Sequence, residues 1–267
     1  MLTNIFDTHA HYDDSSFDED REKLISSLSD CNISPVINVA STMESNQKCL
    51  ELAHKYPDFY AALGVHPSEL SGISEAFFDD LKGHLDDEKV VAIGEIGLDY
   101  HYISEEEDRE KTKEAQRSWF SYQLRIAGEY GLPAIFHLRD SAEDSMEILK
   151  KAASEGIRGV LHCYSYSPEQ AAEYEKMGYY FGIGGVVTFK NSKKLKETVE
   201  RIDMSRLLLE TDCPYLSPEP FRGRRNDSTN LPYIVKKIAE IKKIPDDEVI
   251  AHTRENARTL FSRVKTN

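Results

Sequence analysis

Short apolar runs rich in β-branched residues alternate along the whole chain with longer, charge-rich amphipathic segments. Such runs, bounded by polar residues, are typical of strands. They recur at spacings of roughly 20 to 40 residues, the repeat length of strand, loop and helix in a barrel. The pattern predicts eight strands, at residues 4–9, 36–40, 60–65, 90–95, 133–137, 159–162, 179–183 and 207–210.

The segments between these runs have the apolar periodicity of helices. In residues 20–28, for example, Leu24, Ile25 and Leu28 fall on one stripe with charged residues opposite. The longest insertion separates the fourth and fifth predicted strands and contains the acidic run 105–108. Because acidic residues favour the first turn of a helix, this run predicts a solvated helix N-terminus.

The alternation predicts one α/β domain over residues 1–267, a (β/α)8 TIM barrel. A length of 267 residues matches a single barrel of this kind, and no Pro- or Ser-rich linker divides the sequence. An open, doubly wound sheet has the same alternation of strands and helices and is therefore the competing architecture.

Composition narrows the class of protein without deciding its function. Hydrophobic residues make up 40% and charged residues 30% of the chain, which predicts a folded globular protein. No apolar run approaches the roughly 20 residues that cross a bilayer, and residues 1–4 lack the features of a signal peptide. No Cys-x-x-Cys pair occurs, so we expect reduced thiols in a cytoplasmic protein at Cys31, Cys49, Cys163 and Cys213.

The formal net charge of −14 argues against a broad basic surface that binds nucleic acid. It does not exclude a polyanionic substrate, because bound divalent cations would reverse the sign of the charge locally. Net charge therefore leaves the substrate open.

Residues able to bind a metal stand at the ends of five predicted strands. His9 and His11 are two positions apart at the end of the first strand, so both side chains lie on one face. The fourth, fifth, sixth and eighth strands end at or near Glu95, His137, His162 and Asp212. Barrel enzymes place their sites at the carboxyl ends of the strands. The six residues are therefore predicted to form one metal site.

Four imidazoles and two carboxylates are too many donors for one tetrahedral zinc ion. They suit two divalent ions with one bridging carboxylate and with water in the remaining positions. Mixed nitrogen and oxygen ligation fits Zn²⁺, Mn²⁺ or Co²⁺ and, less well, Mg²⁺. No cysteine is needed as a ligand. Cys163 follows His162 directly, so we expect its side chain to point to the opposite face and to pack there.

The chain resembles the TatD-type metal-dependent deoxyribonucleases of the amidohydrolase superfamily. The resemblance covers essentially the whole chain, and its motifs, in this order, are highly specific. They are Asp7-Thr8-His9-Ala10-His11, Gly64-Val65-His66-Pro67, Gly94-Glu95-Ile96-Gly97-Leu98-Asp99-Tyr100, His137-Leu138-Arg139-Asp140, His162-Cys163-Tyr164-Ser165, Glu210-Thr211-Asp212-Cys213-Pro214-Tyr215-Leu216 and Glu255-Asn256-Ala257.

The resemblance implies a barrel hydrolase that depends on divalent metal ions and acts on DNA. Carried over to this sequence, it implies that Glu95 bridges the two ions. For hydrolysis of DNA, we expect Asp212 to handle a proton. One ion would then be held by His9, His11, Glu95 and Asp212, and the other by Glu95, His137 and His162.

Further residues are candidates for substrate contacts. We expect His66 near the mouth of the site, where it would contact a phosphate, and Glu210 to orient a ligand or water. Asp99 and Arg139 extend past two predicted ligands and would line the pocket. Arginine forks suit phosphodiester oxygens. The loop after the eighth strand carries the one basic cluster next to the predicted site, Arg222, Arg224 and Arg225.

Three functions are compatible with these residues. The leading one is hydrolysis of DNA phosphodiester bonds by a water that two metal ions activate, with single strands or frayed ends preferred. The second is hydrolysis of a small amide, lactone or phosphoester, which would not need the arginine cluster. The third is a catalytically silent, metal-binding interaction module. We expect DNA as the substrate, no contact with a membrane and no obligate protein partner.

Overall fold

Eight parallel strands form a barrel in the computed structural model, which describes residues 4–104 and 108–265. Each strand pairs with the next one along the chain. A parallel bridge between Ala10 and Cys213 joins the last strand to the first, and the Asp212 N–H donates to the His9 carbonyl at 2.9 Å. The strands are β1 Ile5–Ala10, β2 Ile33–Val39, β3 Phe59–Leu63, β4 Val90–Asp99, β5 Ala134–Arg139, β6 Gly159–Leu161, β7 Tyr180–Ile183 and β8 Leu207–Leu209.

The predicted (β/α)8 barrel is therefore confirmed, and the open doubly wound sheet is wrong. A helix follows every strand, and one more helix ends the chain. None of the described helices is both long and apolar enough to span a membrane. The helices are α1 Arg21–Ser27, α2 Met43–Lys55, α3 Glu75–Lys82, α4 Arg109–Tyr130, α5 Ala142–Ser154, α6 Pro168–Lys176, α7 Lys193–Arg201, α8 Leu231–Lys242 and α9 Asp246–Leu260.

Local sequence signals set where several helices begin and end. Thr42 and Ser45 form a reciprocal capping box at the start of α2, which pairs backbone N–H groups that the helix itself cannot pair. Asp108 caps α4 by accepting a hydrogen bond from the Lys111 N–H, so the end of the acidic run does begin a helix. The rest of that run, 105–107, lies outside the described residues. Gly131 ends α4 in the left-handed conformation, with φ of 64°.

Helix α9 covers the amino-terminal end of the barrel. Its Arg254 side chain donates to the carbonyls of Asn4 and Ser34, where β1 and β2 begin, and Asn256 donates to the carbonyl of Leu207 at the start of β8. Apolar residues from all eight strands pack against α9 and the residues that follow it, namely Ala257, Leu260, Phe261 and Val264. The opposite, carboxyl end of the barrel is left to form a site.

Strand β4 is longer than predicted, since it continues four residues past Glu95. The continuation exists because Ile96–Asp99 pair in parallel with residues 136–139 of β5. Gly97 permits this close pairing: at φ of 152°, any Cβ there would overlap the carbonyl oxygen of His137. Glu95 thus lies within β4 rather than at its carboxyl end, and Asp99 is the last residue of the strand.

We predict opposite effects for two Gly→Ala substitutions. Gly97→Ala should lower the free energy of unfolding by more than about 2 kcal/mol, because the backbone of β5 must move to admit the methyl group. Gly128→Ala, on an exposed face within α4 with only ordinary contacts around it, should raise that energy by about 0.5–1 kcal/mol. Urea denaturation of both variants measures this. Equal stability of the two variants would contradict the assigned packing at Gly97.

Candidate metal centre

The six predicted ligands converge at the carboxyl end of the barrel. Five of them line a recess of about 360 Å³, and the sixth, His9, lies beneath it with 1% of its surface exposed. The residues that line the recess are His11, Asp13, Asp14, Ser41, His66, Ser68, Glu69, Glu95, Asp99, Tyr102, His137, His162, Asp212 and Tyr215.

The first group of donors comes from β1 and from the loop after β8. His9 and His11 bring their Nε2 atoms to 3.1 Å from each other. Asp212 places Oδ1 at 3.4 Å from Nε2 of His11 and at 3.8 Å from Nε2 of His9. The backbone bridge between β1 and the end of β8 holds these three residues together, so the closure of the barrel creates this group.

The Glu95 carboxylate stands between two pairs of imidazoles. Its Oε2 faces His9 and His11, at 3.5 and 3.7 Å from their Nε2 atoms. Its Oε1 faces His137, with Nδ1 at 2.8 Å, and His162, with Nε2 at 3.7 Å. Each oxygen of this carboxylate thus faces a different pair of imidazole nitrogens.

Outer contacts orient two of these imidazoles. The Nδ1 of His11 lies 2.8 Å from the Val39 carbonyl, which can only accept, so in a neutral His11 the Nε2 lone pair points into the site. The Nε2 of His137 lies 2.9 Å from Oδ2 of Asp99, which leaves Nδ1 to face Glu95. Asp99 therefore orients the His137 ring by contacting its Nε2. It reaches this position because β4 continues to Asp99.

Glu210 lies beside the outer nitrogen of the His162 ring, as Asp99 does at His137, but without a hydrogen bond to it. Its Oε1 accepts a hydrogen bond from the Cys163 N–H at 2.6 Å and lies 3.1 Å from Nδ1 of His162, at an angle that makes no hydrogen bond with the ring. Gly182 leaves the space for this carboxylate, because a Cβ there would overlap Oε2. The need for this glycine is visible only in the fold, because Glu210 is 28 residues further along the chain.

The electrostatics of the cluster are dominated by buried charge. Burial disfavours the charged form of Glu95, but His162 and His9 outweigh it and hold the pKa of Glu95 well below its usual range. Burial also opposes protonation of His162, yet the carboxylates of Glu210, Asp212 and Glu95 raise its pKa to about 10. At His66 burial prevails and lowers the pKa to about 4. The buried carboxylates thus stabilise nearby positive charge, which protonated imidazoles can provide.

A divalent cation fits this donor set. Buried carboxylates are usually paired with a cation. No Lys or Arg stands among the described residues that line the recess. Positive charge at the carboxylates can therefore come only from protonated imidazoles or from a bound metal ion. Nitrogen and carboxylate donors together suit Zn²⁺, Mn²⁺ or Co²⁺. Close sets of donors occur at His9, His11 and Asp212 and at His9, Glu95 and His162.

Cys163 departs from its predicted orientation. Strand β6 ends at Leu161, and Cys163 has φ of 44°, so the alternation of a strand no longer applies to it. Its Sγ lies within 4.8 Å of donor atoms of His162 and Asp212 rather than on the opposite face. The prediction of a packing role on the far side is wrong for this reason.

The predicted substrate contacts fall into two groups. His66 and Asp99 line the recess, and Nε2 of His66 lies 3.9 Å from Glu95. Glu210 lies behind His162, and Arg139 stacks on the ring of Tyr102 at 4.7 Å rather than lining the recess.

The arginine cluster does not line the recess, and its side chains contact other partners. Arg222 stacks on Phe189 at 4.4 Å from the ring centroid. Arg225 makes a bidentate ion pair with Asp20, at 2.6 and 2.8 Å, and Arg224 lies 6.0 Å from the ring centroid of Phe221. Acidic residues stand at the recess instead, namely Asp13, Asp14 and Glu69.

Two tyrosines at the recess were missed as candidate site residues. Tyr102 and Tyr215 are 66% and 54% exposed, although both line the recess. Tyr102 lies two residues beyond the motif that carries Glu95, and Tyr215 lies within the motif that carries Asp212, so nearness to these motifs was the signal available for finding them.

The barrel and the donors at its carboxyl end define a class, the metal-dependent barrel hydrolases. The chain belongs to the TatD related DNase family, whose model matches residues 6–262. This membership makes it a metal-dependent hydrolase of the TatD type and confirms the family resemblance of the motifs.

Named relatives and a solved structure cover nearly the whole chain. The uncharacterized metal-dependent hydrolase YabD of Bacillus subtilis (strain 168) is 40% identical over 260 residues, which are 96% of this chain and 98% of YabD. The 3'-5' ssDNA/RNA exonuclease TatD of Salmonella typhimurium is 31% identical over 97% of this chain and 100% of its own length. The crystal structure of YjjV, a TatD homologue from Escherichia coli K12, matches with a TM-score of 0.89, 31% identity and coverage of 98% and 99% of the two chains.

We predict about two divalent ions per chain after reconstitution with Mn²⁺ or Zn²⁺. His137→Ala should remove chiefly one ion, because His137 faces only Oε1 of Glu95. Glu95→Ala should weaken both, because each of its oxygens faces one pair of imidazoles. His252→Ala, an exposed histidine of α9, is the matched control and should bind like the wild type. Metal analysis with a single ion that survives Glu95→Ala would rule out a bridging carboxylate.

Proposed function

We propose that this protein is a nuclease that hydrolyses DNA phosphodiester bonds with two divalent ions, acting on single strands or frayed ends. The observation that carries the proposal is the position of Glu95, one of whose oxygens faces His9 and His11 and the other His137 and His162. A pair of ions a few ångströms apart suits in-line displacement at phosphorus, where the entering and the leaving oxygen both need stabilisation. The name of the Salmonella relative, a 3'-5' ssDNA/RNA exonuclease, supports a nucleic acid substrate.

Six residues would hold the ions: His9, His11 and Asp212 on one side, His137 and His162 on the other, and Glu95 between them. Bound there, the ions would supply Lewis-acid activation of a water molecule and of a phosphoryl oxygen. Asp212 lines the recess with 13% of its side chain exposed, so its carboxylate is placed to accept a proton from the attacking water.

His66 is placed to donate a hydrogen bond to a phosphoryl oxygen. The Ser68 N–H donates to Nδ1 of His66 at 3.1 Å, so a neutral His66 carries its hydrogen on Nε2. That nitrogen lies on the side of the recess, 3.9 Å from Oε1 of Glu95. A substrate oxygen beside Glu95 would therefore meet a donor rather than another lone pair.

Access favours a flexible strand over an intact duplex. The reactive phosphate has to enter a recess at the mouth of the barrel, and the acidic residues Asp13, Asp14 and Glu69 stand around it. A stacked duplex cannot present one phosphate there without bringing many others near these carboxylates. A single strand or a frayed end can thread one phosphate inward while the rest stay in solvent.

The second candidate is hydrolysis of a small phosphoester, lactone or amide. One observation favours it: the described lining of the recess contains no Lys or Arg, which a small neutral substrate would not require.

A substrate panel with metal-reconstituted protein tests the proposal. The panel contains a single-stranded oligonucleotide, blunt duplex, duplex with mismatched ends, ethyl 4-nitrophenyl phosphate, and a small lactone and amide. We expect cleavage of the single strand and of the mismatched ends in preference to blunt duplex, because only these substrates can thread a phosphate inward. Turnover of the lactone or amide without cleavage of any oligonucleotide would replace the nuclease with the second candidate.

Asp212→Asn separates proton handling from shape. The amide keeps the size of the side chain and one oxygen donor but removes the base and a negative charge. We expect kcat on the single strand to fall by about 10²-fold or more, the scale of a general-base contribution. Rates are measured at saturating metal so that weakened ligation is compensated. A variant within a few-fold of the wild type would refute the assigned role, and the variant also reports any contaminating nuclease in the panel.

A further inference from the structure

Two of the most exposed large hydrophobic side chains stand at the recess. Among the described residues, the exposed large hydrophobic side chains are Met43, Tyr102, Tyr215, Leu216 and Tyr233. Only two of these line the recess, Tyr102 and Tyr215. Exposed aromatic rings beside a site are candidates for contact with a ligand, since a folded chain gains nothing from leaving them in water.

Tyr102 is held in place although its ring is exposed. It lies in the connection between β4 and α4, where its N–H donates to Oδ1 of Asp99 at 3.3 Å. The guanidinium of Arg139 lies over its ring at 4.7 Å, and the ring of His101 meets it edge-on at 4.9 Å. Tyr102 also lines a second groove, which shares Ser68 and Asp99 with the recess. The Tyr102 ring therefore stands at the boundary between the recess and this second groove.

Tyr215 is anchored beside the other group of donors. Its N–H donates to the carbonyl of Asp212 at 2.8 Å, and its hydroxyl donates to Oδ2 of Asp14 at 3.1 Å. The ring meets His11 edge-on, with centroids 6.2 Å apart. Backbone, hydroxyl and ring edge are thus all engaged, which fixes the ring next to the position where a reactive phosphate would bind.

The described residues that line the recess include no Lys or Arg to hold the rest of a strand. The rim is acidic, and Arg225 is paired with Asp20 rather than turned towards the recess. The phosphates next to the reactive one would therefore meet carboxylates. Aromatic rings can add affinity beyond the reactive phosphate, because they make uncharged contacts with the faces of bases.

We propose that Tyr102 and Tyr215 are stacking platforms for the two nucleobases on either side of the reactive phosphate. This inference rests on the proposed nuclease function and names how that function holds its substrate. Every base has a π-face, so binding should tolerate sequence changes. Because few phosphates are neutralised, binding should also depend only weakly on salt.

Tyr→Ala and Tyr→Phe variants at both positions test the platforms. KM for a single-stranded oligonucleotide should rise about 5- to 100-fold in each Ala variant, the range that loss of one stacked base implies. The rise should be smaller for ethyl 4-nitrophenyl phosphate in at least one of the two Ala variants, because its single nitrophenyl ring can stack on only one of the two tyrosines. The Phe variants should restore most of the loss, since the ring remains. Tyr233→Ala, an exposed tyrosine of α8 away from the recess, is the matched control and should keep the wild-type KM.

Each outcome has one meaning. Ala variants that fold, as shown by an unchanged melting temperature, and keep KM within twofold would overturn the platforms but leave the nuclease intact. Phe variants as impaired as the Ala variants would overturn stacking in favour of the hydroxyl contacts. A wild-type enzyme that cleaves the small phosphodiester and no oligonucleotide would refute the proposed function itself, and the platforms with it.

Discussion

The compensation of buried negative charge is the constraint on which the rest of this structure depends. Glu95 is 4% exposed and has imidazoles, not Lys or Arg, as its neighbours. An isolated carboxylate in such a place would be strongly destabilising. Its neighbours come from β1, β5 and the end of β6, so the charge is compensated only when these strands are in register and the barrel is closed. The same elements that complete the fold thus complete the centre.

Much of this arrangement could be predicted from the sequence, because two simple regularities produce it. Alternation of apolar runs and amphipathic segments fixes the number of strands, and parallel strands of a barrel bring their carboxyl ends together. Residues such as His137 and Asp212 follow from that rule alone. The length of β4 could not be predicted in this way. Its last residues, Ile96–Asp99, pair with β5, and this pairing requires a glycine at position 97 because the His137 backbone comes too close for a Cβ.

The arginine loop shows why side-chain roles are harder to predict than strand ends. Three arginines beside a predicted site suggest an anion-binding cluster when only the sequence is available. In the fold, Arg225 pairs with Asp20, a residue 205 positions away, and Arg222 stacks on Phe189. Such distant partners have no signature in the local pattern. Cys163 illustrates the same limit: one residue with positive φ at the end of a strand reverses the face that alternation assigns.

Net charge acquires a specific meaning once the rim is known. The formal charge of −14 repels a polyanion only weakly at distances beyond the Debye length of about 8–10 Å, because salt screens the repulsion. Closer in, the carboxylates of Asp13, Asp14 and Glu69 would oppose the phosphates of a nucleic acid, except one that reached cations bound in the recess. The charge pattern therefore selects against substrates that must bring many phosphates to the mouth at once. It favours those whose remaining contacts are uncharged, and the exposed rings of Tyr102 and Tyr215 would provide such contacts under the proposed function.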